Sequence, residues 1–104
     1  MTGVWIKNLL EPVDSLTEGE RFEPLLERPG VAIERIVSSP RVAPTTYDQD
    51  HDEWVVLLQG EAQLDLAGKP IALGAGDSLL IPAHTPHRVL ATSAAPRCIW
   101  LAVH

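Results

Sequence analysis

One cysteine, Cys98, stands among the 104 residues, so no internal bridge can form and a disulfide scaffold is excluded. Such sparing use of cysteine suits a reducing compartment, and a cytoplasmic location is the expectation. Long apolar runs are missing too: no window approaches the roughly 20 apolar residues that a membrane-spanning helix needs. The first ten residues offer only short apolar pieces broken by Lys7 and Asn8, without the basic leader or small-residue cleavage site of a signal peptide. Positive charge is scarce, with eight Lys and Arg against fourteen Asp and Glu and a formal charge of −6. Lacking any Lys/Arg cluster, the chain has no electrostatic footprint for nucleic acid or an anionic membrane, and neither is an expected partner. No repeat, linker or low-complexity tract is present. No glycine pattern precedes a helix to cradle phosphate, and Ser78 lacks the G-x-S-x-G setting of a nucleophile.

What remains is enough for one domain. A chain of this length buries roughly 60–70% of its unfolded surface without staples, so a bound metal would be functional rather than structural. Seven glycines and nine prolines punctuate the sequence, leaving runs too short for helices but long enough for strands. The reading is all-β, with at most one short helical turn near Val13 to Thr17, capped by Asp14 and Ser15. Phe22 to Leu26 and Val31 to Val37 flank a Pro-Gly turn. Pro40 and Pro44 then interrupt the chain before Tyr47. Trp54 to Gln59 and Glu61 to Leu66 read as a hairpin about Gly60, and Ile71 to Leu73, Leu79 to Ile81, His87 to Thr92 and Arg97 to Val103 complete the series. About eight or nine short strands at this spacing suit a sandwich or barrel. Trp54 to Leu58 and Cys98 to Val103 are apolar on both faces, so either the N-terminal strands or a second subunit must cover the outer one. A homodimer is the expectation.

The chemistry-bearing residues gather in two places. Residues 1–53 hold eleven acids and five bases, and four of those acids crowd with His51 into Asp48-Gln49-Asp50-His51-Asp52-Glu53. His84 and His87 flank Pro86 farther along. Carboxylates with imidazoles suit a divalent metal, although a solvated acidic turn is the competing reading of the run. A calcium loop is rejected, because Glu53 replaces its glycine, Gln59 replaces its final glutamate and no helices flank it.

Two further regularities carry a resemblance. Glu53 precedes Gly60 by seven positions, and Gly76, Pro82 and His87 recur at fixed distances in Gly76-Asp77-Ser78-Leu79-Leu80-Ile81-Pro82-Ala83-His84-Thr85-Pro86-His87. These resemble the cupin motifs G-x5-H-x-H-x3,4-E-x6-G and G-x5-P-x-G-x2-H-x3-N. Arg41, Tyr47 and Gln49 stand where the first motif has its leading glycine and its two histidines; His84 and Ala91 stand where the second has glycine and asparagine. The family's tetrad of three histidines and a glutamate is reduced to Glu53 and His87. Tyr47-Asp48-Gln49-Asp50, Asp52-Glu53-Trp54 and the closing Ile99 to His104 are similar to compact bacterial single-domain cupins.

The resemblance implies a small antiparallel jelly-roll barrel and frequent homodimers, and a two-histidine, one-carboxylate set of His51, Glu53 and His87 suits a divalent transition metal (Fe, Mn, Ni or Zn). It implies one cupin domain over 1–104: N-terminal strands and edge at 1–45, first motif at 46–60, second at 76–91 and C-terminal strands at 92–104. Strand alternation favours His51 as third ligand beside Glu53 and His87, with the amide oxygen of Gln49 or water completing the shell. Tyr47 is the candidate proton donor and, with His84, a candidate substrate contact. His104 reads as an exposed terminus and Cys98 as an inert core thiol. Two functions follow: a metal-dependent oxygenase, isomerase, lyase or hydrolase acting on a small organic molecule, or a non-catalytic binding or sensory cupin with a degenerate metal site.

Overall fold

The computed structural model describes residues 3–13, 15–43 and 45–104. Eight strands follow one another among the described residues: β1 (Glu20–Arg28), β2 (Val31–Ser38), β3 (Glu53–Gln59), β4 (Glu61–Leu66), β5 (Lys69–Gly74), β6 (Ser78–Ile81), β7 (His87–Thr92) and β8 (Cys98–Val103). They form a five-stranded sheet in the order β1-β2-β8-β3-β6 and a three-stranded sheet in the order β5-β4-β7. Every pairing is antiparallel. No helix occurs among the described residues, and thus none long and apolar enough to cross a membrane; Asp14, in the expected helical turn, and Pro44 lie outside them.

Alternation explains the core. Val55 and Leu57 of β3, Ala62 and Leu64 of β4, and Cys98, Trp100 and Ala102 of β8 all bury the side chain that points between the sheets. Pro24, which has no N–H to give a ladder, sits on the edge strand β1 beside a register shift.

The hairpin expected about Gly60 is not formed. β3 pairs with β6 and β8, while β4 pairs with β5 and β7, so Gly60 is a corner where the chain leaves one sheet for the other. A tight hairpin needs two turn residues, and only one separates Gln59 from Glu61. Gly60 turns the corner at φ +96° with Ser93 and Cys98 packed against its α-carbon.

The N-terminal segment covers part of the outer face of the larger sheet. Arg97 donates to the carbonyls of Val13 and Leu16, and buried Arg35 donates to that of Glu11 while pairing with Glu23 at 3.3 Å. Beneath that segment Val37 and Ile99 are buried. Beyond it, Trp54 and Leu80, cross-strand neighbours on β3 and β6, stay exposed.

Candidate functional site

Between the sheets lies a cavity of about 140 Å³. Its floor is apolar, made by Ile36, Val55, Leu64, Val89 and Trp100. Its polar groups come from both halves of the chain: Glu20, Glu34 and Glu53 from β1, β2 and β3, Tyr47 and Gln49 from the loop before β3, and His87 and His104. Among the described residues lining it there is no lysine or arginine.

Backbone hydrogen bonds lace the two motif loops together. Tyr47 and His87 exchange N–H···O bonds of 2.8 and 2.9 Å, and the His84 N–H donates to the Gln49 carbonyl. Asp52 Oδ1 accepts from the Ala83 N–H at 2.8 Å. These contacts fix where Tyr47, Gln49 and Glu53 stand relative to His87.

The inner pair is Glu53 and His87. Glu53 is 6% exposed, yet no hydrogen bond from a described residue reaches its carboxylate, and His87 Nε2 lies 3.9 Å from Oε1. His87 Nδ1 is 2.9 Å from the Thr85 carbonyl, which can only accept, so an N–H belongs there and Nε2 is the ring nitrogen turned to Glu53. Gln49 Oε1 is buried without a partner in the same cavity. Tyr47 lies over His87, ring centroids 5.8 Å apart. Burial, then the carboxylates of Glu20, Glu34 and Glu53, push its phenol above the ordinary tyrosine range, so it remains a donor at neutral pH.

The opposite wall holds two more carboxylates. Trp100 Nε1 donates to Ser38 Oγ at 3.0 Å, and Ser38 Oγ donates to Glu20 Oε2 at 2.6 Å. Burial raises the Glu20 pKa; the Ser38 hydrogen bond opposes that shift, and the charges of Glu53 and Glu34 add to it. Glu34 Oε2 lies 3.4 Å from His104 Nε2. His104 Nδ1 is 3.0 Å from His51 Nε2, and His51 Nδ1 is 3.0 Å from Asp50 Oδ1, whose pKa that hydrogen bond lowers.

The structure therefore brings together four of the residues singled out from the sequence: Tyr47, Gln49, Glu53 and His87. It does not bring His51 or His84 with them. His51 sits at the surface against Asp50 and His104 and does not line the cavity, because the loop tied down at Asp52 breaks the alternation that would have turned it inward. His84 is exposed at φ +59°, near Asp48, at the position where the motif has glycine. No group of three or more His, Cys, Asp or Glu side chains placed to hold a metal occurs among the described residues. His104, expected to be exposed, is instead held in the sheet by mutual backbone hydrogen bonds with Ala32 and lines the cavity. Its parity with Cys98, Trp100 and Ala102 was the available signal, as was a lone glutamate, Glu34, inside the apolar run of β2.

A model of the Cupin domain matches residues 34–104. The chain belongs to the cupin family. Among solved structures, this cupin is similar to a "putative mannose-6-phosphate isomerase" of Ralstonia eutropha JMP134, at 40% identity over 97% of each chain with a TM-score of 0.82. It also resembles a cupin superfamily protein of Desulfitobacterium hafniense DCB-2 (22% identity, 88% and 81% coverage, TM-score 0.75) and KdgF of a Halomonas species (19%, 98% and 92%, 0.76). The last two likenesses concern the fold alone. A search of curated proteins gives no match.

Proposed function

We propose that this cupin binds a small organic molecule in the cavity beside a divalent cation held by Glu53, His87 and Gln49. The observation that carries the reading is Glu53, a residue 6% exposed that lines the cavity and whose carboxylate takes no hydrogen bond from any described residue. A carboxylate with both oxygens free of protein donors in a largely apolar cavity is a favourable place for a cation. The donors beside it have matching chemistry. His87 turns Nε2 toward Glu53, and Gln49 Oε1 is an acceptor without a partner among the described residues. One carboxylate, one imidazole and one amide oxygen suit Fe(II), Mn(II), Ni(II) or Zn(II), with water or ligand filling the shell. Once bound, such a cation would polarise a ligand oxygen as a Lewis acid. Tyr47, held protonated, would donate a hydrogen bond to the ligand, and the apolar floor would take its carbon skeleton.

A phosphorylated sugar, the ligand implied by the name of the Ralstonia relative, is disfavoured. Three glutamates line this cavity without a lysine or arginine among the described residues to meet a phosphate. Metal-free binding is the second reading, favoured by the absence of a three-ligand His, Cys, Asp or Glu group among the described residues.

Elemental analysis of protein purified without added metal, followed by calorimetric titration with Mn(II) and Zn(II), tests the proposal. About one equivalent should bind, and His87→Ala should abolish it. If neither metal binds, the cation is gone and the metal-free reading stands.

A further inference from the structure

The cavity contains a second imidazole–carboxylate pair, outside the motif positions, whose hydrogen bonding is incomplete. Asp50 Oδ1 accepts from His51 Nδ1, and His51 Nε2 lies 3.0 Å from His104 Nδ1. His104 Nε2 faces Glu34 Oε2 at 3.4 Å, and no hydrogen bond from a described residue reaches the Glu34 carboxylate. The arrangement repeats that of His87 Nε2 opposite Glu53. Glu20 stands nearby, and the hydrogen bond it accepts from Ser38 ends on Oε2.

Resting on the reading of the cavity as a ligand site, we infer that Glu34, His104 and Glu20 recognise a primary ammonium group carried by the organic ligand. An ammonium has three N–H donors and no acceptor, which is what two carboxylates facing one cavity can use. A hydroxyl could satisfy one of them but brings no charge, whereas three glutamates line the cavity and no described lysine or arginine does. A carboxylate or phosphate would add repulsion. Below the ammonium, Phe22, Ile36 and Trp100 offer apolar and aromatic surface to a carbon skeleton, and aromatic faces favour a cation. The group recognised here is separate from the Glu53–His87 pair, so one ligand could meet both walls.

The test is a 15N chemical-shift titration of the full chain with butylamine, 1-butanol and butyrate, first in the presence of a chelator and then with Mn(II). Butylamine should bind at least about tenfold more tightly than 1-butanol, and butyrate more weakly than either, as charge-assisted hydrogen bonds outweigh neutral ones. Glu34→Gln and Glu20→Gln should each weaken butylamine about tenfold and weaken 1-butanol distinctly less, with spectra that remain those of the folded protein. His87→Ala should remove metal binding and keep the preference for amine. If butanol binds as tightly as butylamine, or if neither glutamine variant changes the amine, the inference is overturned, since the imidazoles then supply their own protons. If none of the three binds, with or without Mn(II), the ligand site itself is refuted along with it.

Discussion

Replacing Gly60 by alanine should weaken the fold more than a glycine-to-alanine change at another positive-φ turn, and the structure gives the reason in two parts. The first is backbone strain. At φ +96° a residue with a β-carbon lies outside the regions open to L-amino acids, at a cost of about 1–3 kcal/mol. The second is space. A β-carbon at Gly60 would stand 2.8 Å from Ser93 Oγ, 2.9 Å from Cys98 Sγ and 3.0 Å from Cys98 Cα. The serine hydroxyl could turn away, although it then gives up its bonds with the Pro96 carbonyl and the Glu61 N–H. The Cys98 backbone is held in β8 and cannot move so readily; overpacking of this kind costs about 1–3 kcal/mol more. Together the loss is about 4 kcal/mol, or on the order of 20 °C in Tm for a domain of this size. Gly68 supplies the control: its φ is +86°, but nothing lies within 4 Å of the β-carbon position, so Gly68→Ala should show only the strain. Urea unfolding monitored by tryptophan fluorescence should place Gly60→Ala about 2 kcal/mol below Gly68→Ala with unchanged m-values. Equal losses would refute the packing half of the argument, and a Gly60→Ala protein as stable as the parent would refute both halves.

Two other consequences are open to measurement. Because burial raises the Glu20 pKa, folding stability from that group is fully present below the ordinary glutamate range and is lost as pH rises through the raised value. Thermal melts of Glu20→Gln and the parent should therefore diverge in favour of the variant as pH rises above the ordinary glutamate range, and a flat or opposite trend would contradict the sign. Trp54 and Leu80 form an exposed apolar pair beside the part of the sheet that the N-terminal segment leaves open, while Trp5 and Ile6 are almost fully exposed. Light scattering at micromolar concentration should give twice the monomer mass, Leu80→Glu should shift it toward monomer, and a monomeric parent would remove the dimer.

Strand positions were legible where alternation and turn residues agreed. Glu61 to Leu66 and His87 to Thr92 have the bounds expected of them, and β2 ends one residue later. Pairing was less legible, since spacing along the chain says where a strand lies but not which neighbour it meets. Gly60 shows this: two strands one residue apart look like a hairpin, yet they belong to different sheets. The candidate site divides in the same way. Glu53 and His87 lie at the starts of strands, whose alternation carries each inward. His51 lies in a loop where side-chain and backbone contacts replace alternation, so parity counted back from Glu53 fails there. His104 departs from its expected exposure for the opposite reason. Position at the end of the sequence suggested exposure, while backbone bonds to Ala32 extend the β8 alternation through it.

The acidic surplus of the first half of the chain acquires a different meaning from this arrangement. Asp48 and Asp50 are exposed, where water screens them cheaply, so the acidic run itself asks for little compensation. Glu20, Glu34 and Glu53 instead face one cavity, where burial first, and then the charge of the neighbouring glutamates, raises the pKa of Glu20 and of Tyr47. Like charges gathered at low solvation oppose folding, whereas a cation that enters the cavity interacts favourably with all three. A cation bound only by the folded state must add stability by mass action. Both the metal at Glu53 and the ammonium at Glu34 should therefore raise Tm, and the two increments should add less than fully, because each cation reduces the negative field that attracts the other.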